Sequence, residues 1–294
     1  MHPLELMWAR ATSWIYKGDK YFCNLCGFGA RRLRRRGHNH PVIVSKQISG
    51  AGRRRVDCPK CLSSDRDRQI WDFLNQHFPI LSEPNPKNNL KNQSSSDFKS
   101  SPNPSTKFSI LHVAPEIPLS NKLRAMQDQK KIEYHCIDLK TPGYHYPNWV
   151  QHADLTSLPF KSNQFDIVIA SHVLEHIPNL QKALQEIHRT LKTEGQAILL
   201  FPVSLSQPTD DYYHPSDFEE HKSPKIAPTK REKIERFGQH DHIRLFGTDA
   251  AQILSQNNWF DVNVMNAQGC KDFPGQHEGP TSKNSNFFFI LKKR

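Results

Sequence analysis

The stretch from Phe165 to Pro178 changes sharply from apolar to polar positions. Its apolar run, Ile167–Ala170, is uninterrupted, which is typical of a strand buried on both faces of a parallel sheet because helices cover both sides. Polar and titratable residues follow from Ser171 onward. Ligands bind at the carboxyl ends of the strands in open α/β sheets. The pattern therefore predicts a functional site directly after this strand.

Shorter apolar runs predict the other elements of an α/β sheet of about seven strands. We expect strands at 108–113, 132–137, 259–265 and 286–291, together with a fifth strand that ends near 201. The spacing of Leu119, Leu123 and Met126 indicates a helix after the first strand. Thr248 is expected to cap a later helix.

Two further helices are expected before the sheet. Four apolar residues recur at helical spacing near the N-terminus, namely Leu4, Trp8, Ala11 and Ile15. They predict an amphipathic helix over 3–16 whose apolar face packs on the segment that follows, and membrane attachment is the alternative. Another helix, capped by Ser63 or Ser64, is expected to reach about Phe78.

Four of the six cysteines form two C-x-x-C pairs, made by Cys23, Cys26, Cys58 and Cys61. Because no secretory signal pattern is seen, this spacing indicates metal binding rather than disulfides, and we expect a cytoplasmic protein. Four thiolates hold one zinc ion tetrahedrally and leave no open position for catalysis. The pairs therefore predict a structural zinc site, with His38 and His40 as substitutes if one cysteine does not bind.

Basic residues concentrate at the N-terminal end. The net charge is +11, and residues 1–68 hold 15 Lys and Arg against 5 Asp and Glu. Closure of the zinc site should bring the arginine clusters 31–36 and 53–55 together, which predicts an anionic partner such as nucleic acid or a phosphorylated substrate. A solvated basic face is the alternative, since no aromatic platform is interleaved with these arginines. No apolar run approaches the length of a membrane span.

Composition divides the chain into four parts. They are a zinc-ribbon-like basic module with an N-terminal helix at 1–64, a connecting helix at 65–81, a disordered linker at 82–107, and a sheet domain at 108–294. The sheet domain contains a Pro- and charge-rich insertion at 203–238. Long loops at the carboxyl edge of a sheet are usually lids or substrate walls.

The letters His172-Val-Leu-Glu-His176 match the H-x-x-E-H zinc signature. That signature needs both histidines on one face of a long helix and a distant third ligand. Pro178 limits any helix here to about two turns, so the context disfavours a zinc protease. Structural roles for one or both histidines are a second alternative.

The same stretch resembles the end of the fourth strand in class I S-adenosylmethionine-dependent methyltransferases, which carry a segment similar to "VLEHI". The segments His152–Phe160 and Gln185–Phe201 resemble the family's adenine-contacting segment and its following helix and fifth strand. The loop Ala114-Pro115-Glu116 replaces the family's usual glycine-rich loop. It resembles a bacterial branch that combines such an "APE" loop with an N-terminal double-knuckle module. The resemblance implies a Rossmann-like methyltransferase fold.

The resemblance also implies a cofactor site. Its residues would be Ala114, Glu116, Asp138, Asp154, Leu155 and Ser171. Asp138 is expected on the ribose hydroxyls, with an Asx turn before Pro142 as the alternative. Asp154 is expected near the adenine. Glu116 is expected either to pair with the cofactor's ammonium or to cap the next helix.

The predicted activity is methyl transfer to an unidentified small molecule or sugar. Histidine is the natural base near neutral pH, so His172 and His242 are the candidate bases, with Asp241 or Glu175 as orienting partners. A structural hydrogen bond is the alternative role for His242. Two rival functions remain open: a zinc-bearing binding protein whose methyltransferase fold has lost its cofactor, and a methyltransferase that modifies RNA or DNA.

Overall fold

The computed structural model describes residues 3–81, 107–141, 146–214, 217–218, 228–266 and 286–294. The predicted linker at 82–107, apart from Lys107, lies outside the described residues. The same holds for Pro142 and for part of the insertion at 203–238.

A seven-stranded mixed sheet forms the main body. Its strands are β5 (Phe108–Val113), β6 (Ile132–Asp138), β7 (Gln151–His152), β8 (Phe165–Ser171), β9 (Leu191–Leu200), β12 (Phe260–Asn266) and β13 (Phe287–Lys293). They lie in the order β12-β13-β9-β8-β5-β6-β7. Only β13 runs antiparallel to its neighbours β9 and β12. Apart from the exchange of the last two strands, this is the doubly wound order that places a ligand crevice where the winding reverses, between β5 and β8.

Helices cover both faces of this sheet, as a nearly continuous apolar β8 requires. In the described residues the α-helices are α1 (Pro3–Thr12), α2 (Pro41–Ser45), α3 (Asp65–His77), α4 (Ile117–Asp128), α5 (Leu180–Thr190), α6 (Lys230–Phe237) and α7 (Ala250–Ser255). Alternate residues of β8 point to opposite faces. Val168 packs in the cluster that contains α5 and α7, whereas Ile167 and Ile169 pack in the cluster that contains α3 and α4. The predicted α/β fold is thus confirmed.

The N-terminal module is built from two small hairpins. One pairs β1 (Lys17–Phe22) with β2 (Gly29–Ala30), and the other pairs β3 (Arg34–Arg36) with β4 (Arg54–Asp57). Helix α3 then joins the module to the sheet, because its apolar side shares one core cluster with Cys23, Cys58 and α4. Its N-cap is Ser64, whose side chain takes part in a capping box with Asp67. Asn286, just before β13, donates hydrogen bonds to Asp65 and Gln69 of α3.

Two local predictions are wrong. Helix α1 ends at Thr12 and continues as a 3-10 turn over Ser13–Tyr16. A 3-10 helix has three residues per turn, so an apolar stripe with a 3.6-residue period cannot continue through it. The predicted stripe is also not buried against the module, since Leu4 and Trp8 are 61% and 60% exposed. The N-cap of α7 is Asp249 rather than Thr248. Among the described residues, no helix is long and apolar enough to cross a membrane.

Arg244 in the short strand β11 (Arg244–Leu245) holds the described part of the insertion against the sheet. Strand β11 pairs with β10 (Asp210–Asp211). The buried Arg244 guanidinium forms an ion pair with Asp211. It also donates hydrogen bonds to the carbonyl oxygens of Leu174 and Ile177, at 2.8 and 3.0 Å. One side chain therefore ties the insertion to the turn that follows β8.

We predict that Arg244→Leu lowers the free energy of unfolding by roughly 3–5 kcal/mol, because it leaves a partly buried carboxylate and several carbonyl groups without their donor. Urea denaturation followed by circular dichroism measures the change. Arg231→Leu is the matched control, since Arg231 forms an exposed pair with Glu235 on α6. Equal stability of the Arg244 variant and wild type would contradict this account of the insertion.

Candidate active site and metal centres

The predicted cofactor residues meet at the carboxyl edge of the sheet. Val113 is in register with Ile137 on one side and with Ala170 on the other. The residues that follow these three positions, Ala114, Asp138 and Ser171, therefore lie next to one another along the edge. The amide of Ala153 donates a hydrogen bond to the carbonyl oxygen of Asp138 at 3.1 Å, which brings Asp154 and the buried Leu155 to the same edge.

The two strands at the crevice end in the same unusual backbone conformation. Ala114 has a φ of +48° and His172 a φ of +56°, in the left-handed region that costs a residue with a side chain about 1–2 kcal/mol. Both are held by short backbone bonds: the amide of Ala114 donates to Ile137 O at 2.8 Å, and that of His172 to Leu200 O at 2.7 Å. The loop after β5 therefore begins with a left-handed backbone conformation that favours glycine, but the residue in that strained position is Ala114.

The two predicted carboxylate contacts are already engaged in local turns. Asp138 is half-buried, and its Oδ1 accepts a hydrogen bond from the amide of Lys140 at 3.3 Å. Oδ1 of the exposed Asp154 accepts from the amide and the hydroxyl of Thr156, both at 2.8 Å. Each carboxylate keeps its Oδ2 atom outside these turn contacts. The turns thus orient the two side chains.

A buried polar network fixes Glu116 in the APE loop. Nε2 of the fully buried His112 lies 3.1 Å from Oε2 of Glu116, and Nδ1 lies 2.8 Å from the hydroxyl of Tyr134. Tyr134 donates to Ser120, which in turn donates to the carbonyl oxygen of Glu116. Glu116 occupies the N-cap position of α4, but its side chain makes no capping hydrogen bond. The sequence marked His112 only as a departure from an acidic position, and nothing in its pattern indicated Tyr134 or Ser120.

Two carboxylates face a common cavity beside this loop. Burial alone would raise the pKa of Glu116, but the hydrogen bond and charge of His112 outweigh it and lower the pKa to about 2. Burial and the charge of Glu116 raise the pKa of Asp67 to about 7. The cavity, of about 820 Å³, lies between α1, β3 and the loop after β5. Four arginines and four acids line it: Arg34, Arg35, Arg36, Arg66, Glu5, Asp57, Asp67 and Glu116.

The candidate catalytic residues come together through two loops. Residues 174–176 form a 3-10 turn rather than the long helix of a zinc protease. Nδ1 of His172 lies 3.2 Å from Oε1 of Glu175, so Glu175 is the nearer orienting partner. The ring of His242 packs edge-on against that of His176, with centroids 4.8 Å apart. Asp241 is exposed, and its carboxylate lies 3.9 Å from His176.

Burial shapes the titration of this group of residues. It lowers the pKa of His172, and it lowers that of His242 to about 4. Burial would raise the pKa of Glu175, but the contact with His172 and the surrounding imidazoles lower it to about 2. The fold therefore favours a neutral His242 beside an ionised Glu175. A base works best when its pKa is near the operating pH, so burial weakens both candidate bases at neutral pH.

The four paired cysteines cluster as predicted. Their Sγ atoms lie within 4.8 Å of one another, with 3.7 Å between Cys23 and Cys61 and 3.6 Å between Cys26 and Cys58. A tetrahedral zinc ion with Zn–S distances of about 2.3 Å requires S–S edges of about 3.8 Å. The thiol set therefore fits zinc. His40 instead accepts a hydrogen bond from the amide of Val42 as the N-cap of α2.

The arginine clusters meet in the hairpin of β3 and β4, where Arg35 pairs with Arg55 and Arg36 with Arg54. Several are already paired within the module. Arg36 binds Asp57 at 2.6 Å, and Arg54 binds Asp65. Aromatic neighbours come from outside the clusters, from α1 and the 3-10 turn: the guanidinium of Arg34 lies 4.7 Å from the ring centroid of Trp8 and 5.1 Å from that of Tyr16.

Comparison with known proteins finds similarity to methyltransferases over part of the chain. Residues 121–199 match the family model described as a methyltransferase domain. A 59-residue segment is 41% identical to 2-phytyl-1,4-naphtoquinone methyltransferase of Nostoc sp., covering 19% of this chain and 25% of that protein. A 58-residue segment is 41% identical to demethylmenaquinone methyltransferase of Staphylococcus epidermidis, covering 20% of this chain and 23% of that protein.

A solved structure, that of the DszA carbon methyltransferase, aligns with a TM-score of 0.42 and 17% identity, over 78% of this chain and 52% of that one. The chain spans only about a fifth to a quarter of the length of the curated relatives it matches. The matched family segment runs from within α4 to within β9 and so includes three of the strands at the candidate site.

We predict that Asp67→Asn changes the pH dependence of stability. With a pKa near 7 in the folded state and an ordinary low value when unfolded, Asp67 makes the native state bind more protons between about pH 4 and 7. Wild-type stability therefore falls as the pH rises through this window, by at most about 1.4 kcal/mol per pH unit. Asparagine carries no such proton, so the variant should gain stability relative to wild type from pH 5 to pH 8.

Denaturant unfolding at pH 5, 6.5 and 8 measures this difference. All three values lie above the range in which Glu116 titrates. Asp128→Asn, at the exposed end of α4, is the control and should show a constant difference from wild type. A constant difference for the Asp67 variant as well would show that Asp67 is ionised throughout.

Proposed function

We propose that this chain is an S-adenosylmethionine-dependent methyltransferase whose acceptor is a small molecule. One observation carries the proposal: the residues expected around the cofactor converge on the reversal point of a doubly wound sheet, within and around the segment that matches a methyltransferase domain. Ligand binding at this point follows from the fold, because the neighbouring loops leave in opposite directions and open a crevice.

Each residue has a role in this proposal. Asp138 accepts the ribose hydroxyls, and Asp154 with Leu155 borders the adenine. Ala114, Glu116 and Ser171 surround the methionine end, where the carboxylate of Glu116 pairs with the ammonium group. The cofactor supplies an electrophilic methyl group, so the chain has to align the acceptor and remove its proton where needed. His172, whose Nδ1 lies 3.2 Å from Glu175, is the proposed base. His242 is the second candidate base, and Asp241 is a possible orienting partner.

The cavity beside the APE loop supports a small acceptor. Its volume of about 820 Å³ falls within the range of small-molecule sites, about 300–1,000 Å³. Arginines at its wall suit an acceptor that carries a phosphate or carboxylate group. Several arginines of the module are engaged by Asp57, Asp65 and Trp8, which favours a small anionic acceptor over nucleic acid.

The test is calorimetric titration of the purified chain with S-adenosylmethionine and S-adenosylhomocysteine. Micromolar to millimolar binding of both is expected. If neither binds, the enzyme proposal fails and the chain is better described as a zinc-bearing binding protein. If both bind and the chain methylates RNA or DNA, the small-molecule acceptor is wrong while the enzyme class stands.

We predict that Asp138→Ala weakens S-adenosylmethionine binding by about ten-fold to more than a hundred-fold. A lost hydrogen bond to a charged group typically costs about 1.5–3 kcal/mol. Calorimetry gives the dissociation constants, and Asp128→Ala on α4 serves as the control because α4 ends at the opposite edge of the sheet. Unchanged affinity would assign Asp138 to its turn with Lys140 alone.

We also propose that Cys23, Cys26, Cys58 and Cys61 bind one structural zinc ion. Metal binding to such a site contributes directly to folding, and these cysteines share a core with α3. The double variant Cys58→Ser/Cys61→Ser should therefore lose one zinc per chain and unfold at a lower temperature. Elemental analysis and thermal scans of both proteins test this, and equal zinc content in both would contradict the assignment.

A further inference from the structure

Glu175, His176 and His242 form a second group of potential metal ligands, separate from the cysteines. One ligand atom from each residue lies within 4.8 Å of the other two. Glu175 and His176 belong to the 3-10 turn after β8, while His242 belongs to the loop before β11. The two segments are locked together, because the amide of Ile243 donates to the carbonyl oxygen of Glu175 at 3.0 Å. The three side chains are thus held in place by the backbone.

Within the described part of the chain, the carboxylate of Glu175 has a close contact with His172 but no aligned hydrogen-bond donor. Its side chain is only 1% exposed, and neither oxygen has a hydrogen bond within the described part of the chain. The nearby Nδ1 atom of His172, at 3.2 Å, is not aligned for one. Buried carboxylates are normally paired or bound to metal because removing their charge from water is costly. Glu175 therefore points to a cation that completes this site.

The orientation of His176 supports the same conclusion. Its Nδ1 lies 3.1 Å from the carbonyl oxygen of Asp241, and a carbonyl can only accept a hydrogen bond. Nδ1 must therefore carry a proton, which leaves the lone pair of a neutral ring on Nε2. Metal-binding histidines are typically oriented in this way, with the second ring nitrogen donating to a carbonyl or carboxylate.

We propose that Glu175, His176 and His242 bind a divalent transition metal ion such as zinc. One carboxylate and two imidazoles suit zinc, iron, manganese or cobalt rather than magnesium or calcium, which prefer oxygen ligands throughout. Three protein ligands leave a coordination position for water or for an oxygen of a bound molecule. His172, between this cluster and Ser171, links the site to the edge of the sheet.

The metal site does not depend on methyl transfer, because the argument rests only on the geometry of the three residues. If the proposed function also holds, the ion would lie next to His172, the proposed base, which contacts Glu175. Two residues of the H-x-x-E-H motif, Glu175 and His176, would thus be ligands in this site. The third ligand, His242, comes from a distant loop.

The experiment uses the full chain with the cysteine site filled by one equivalent of zinc. The protein is then titrated with zinc by calorimetry and with cobalt by absorption, since cobalt on nitrogen and oxygen ligands lacks the intense near-ultraviolet bands of cobalt on thiolates. A second equivalent should bind to wild type. Its affinity should fall at least about 10- to 100-fold in Glu175→Gln, His176→Ala and His242→Ala.

His188→Ala is the matched control, because His188 is a half-buried histidine that stacks on Trp259 away from this cluster. His176 is partly exposed, so its variant should fold even if the two buried ones do not, and circular dichroism checks all of them. The proposal is overturned if wild type takes up no second equivalent, or if all variants bind it as wild type does. Metal binding without S-adenosylmethionine binding would leave this site standing and remove the proposed function.

Discussion

The parallel pairing of β5 with β8 is the constraint on which the rest of the site depends. These strands lie at the centre of the sheet, and nearly all of their residues are buried. Their ends are therefore fixed by packing on both faces, which allows Ala114 and His172 to be held in the left-handed region. Strain of this kind persists only where the surroundings over-determine the backbone. The central core thereby positions the two loops that carry the candidate chemistry.

The N-terminal module acts as a wall of the site as well as a small domain of its own. Its cysteine cluster fixes the hairpin of β3 and β4, and that hairpin presents Arg34 to Arg36 to the cavity beside the APE loop. Helix α3 carries Asp67 to the same cavity and shares a core with α4. The cysteine cluster and the cavity are therefore linked through packing, so a metal ion bound by the four cysteines would influence the shape of the cavity.

Sequence patterns predicted the sheet well because buried strands have a strong local signal. Strand β5 has its predicted bounds, and β8 contains the predicted apolar run. The failures involve contacts between distant residues. The role of Arg244 was not predicted, because its contacts with Asp211 and Leu174 depend on how two loops pack. The exposed face of α1 was misjudged because periodicity shows that a helix is amphipathic but not which surface, if any, covers it.

Three carboxylates lie near the sheet edge, and their surroundings differ. Glu116 has the imidazole of His112, and Asp67 keeps a proton to a higher pH because Glu116 is near. Glu175 has only imidazoles around it and no hydrogen bond among the described contacts. A buried negative charge needs compensation, and the first two cases show that this fold supplies it from its own residues where it can. The negative charge of Glu175 lacks such compensation among the described contacts, so a bound cation is the simplest way to balance it.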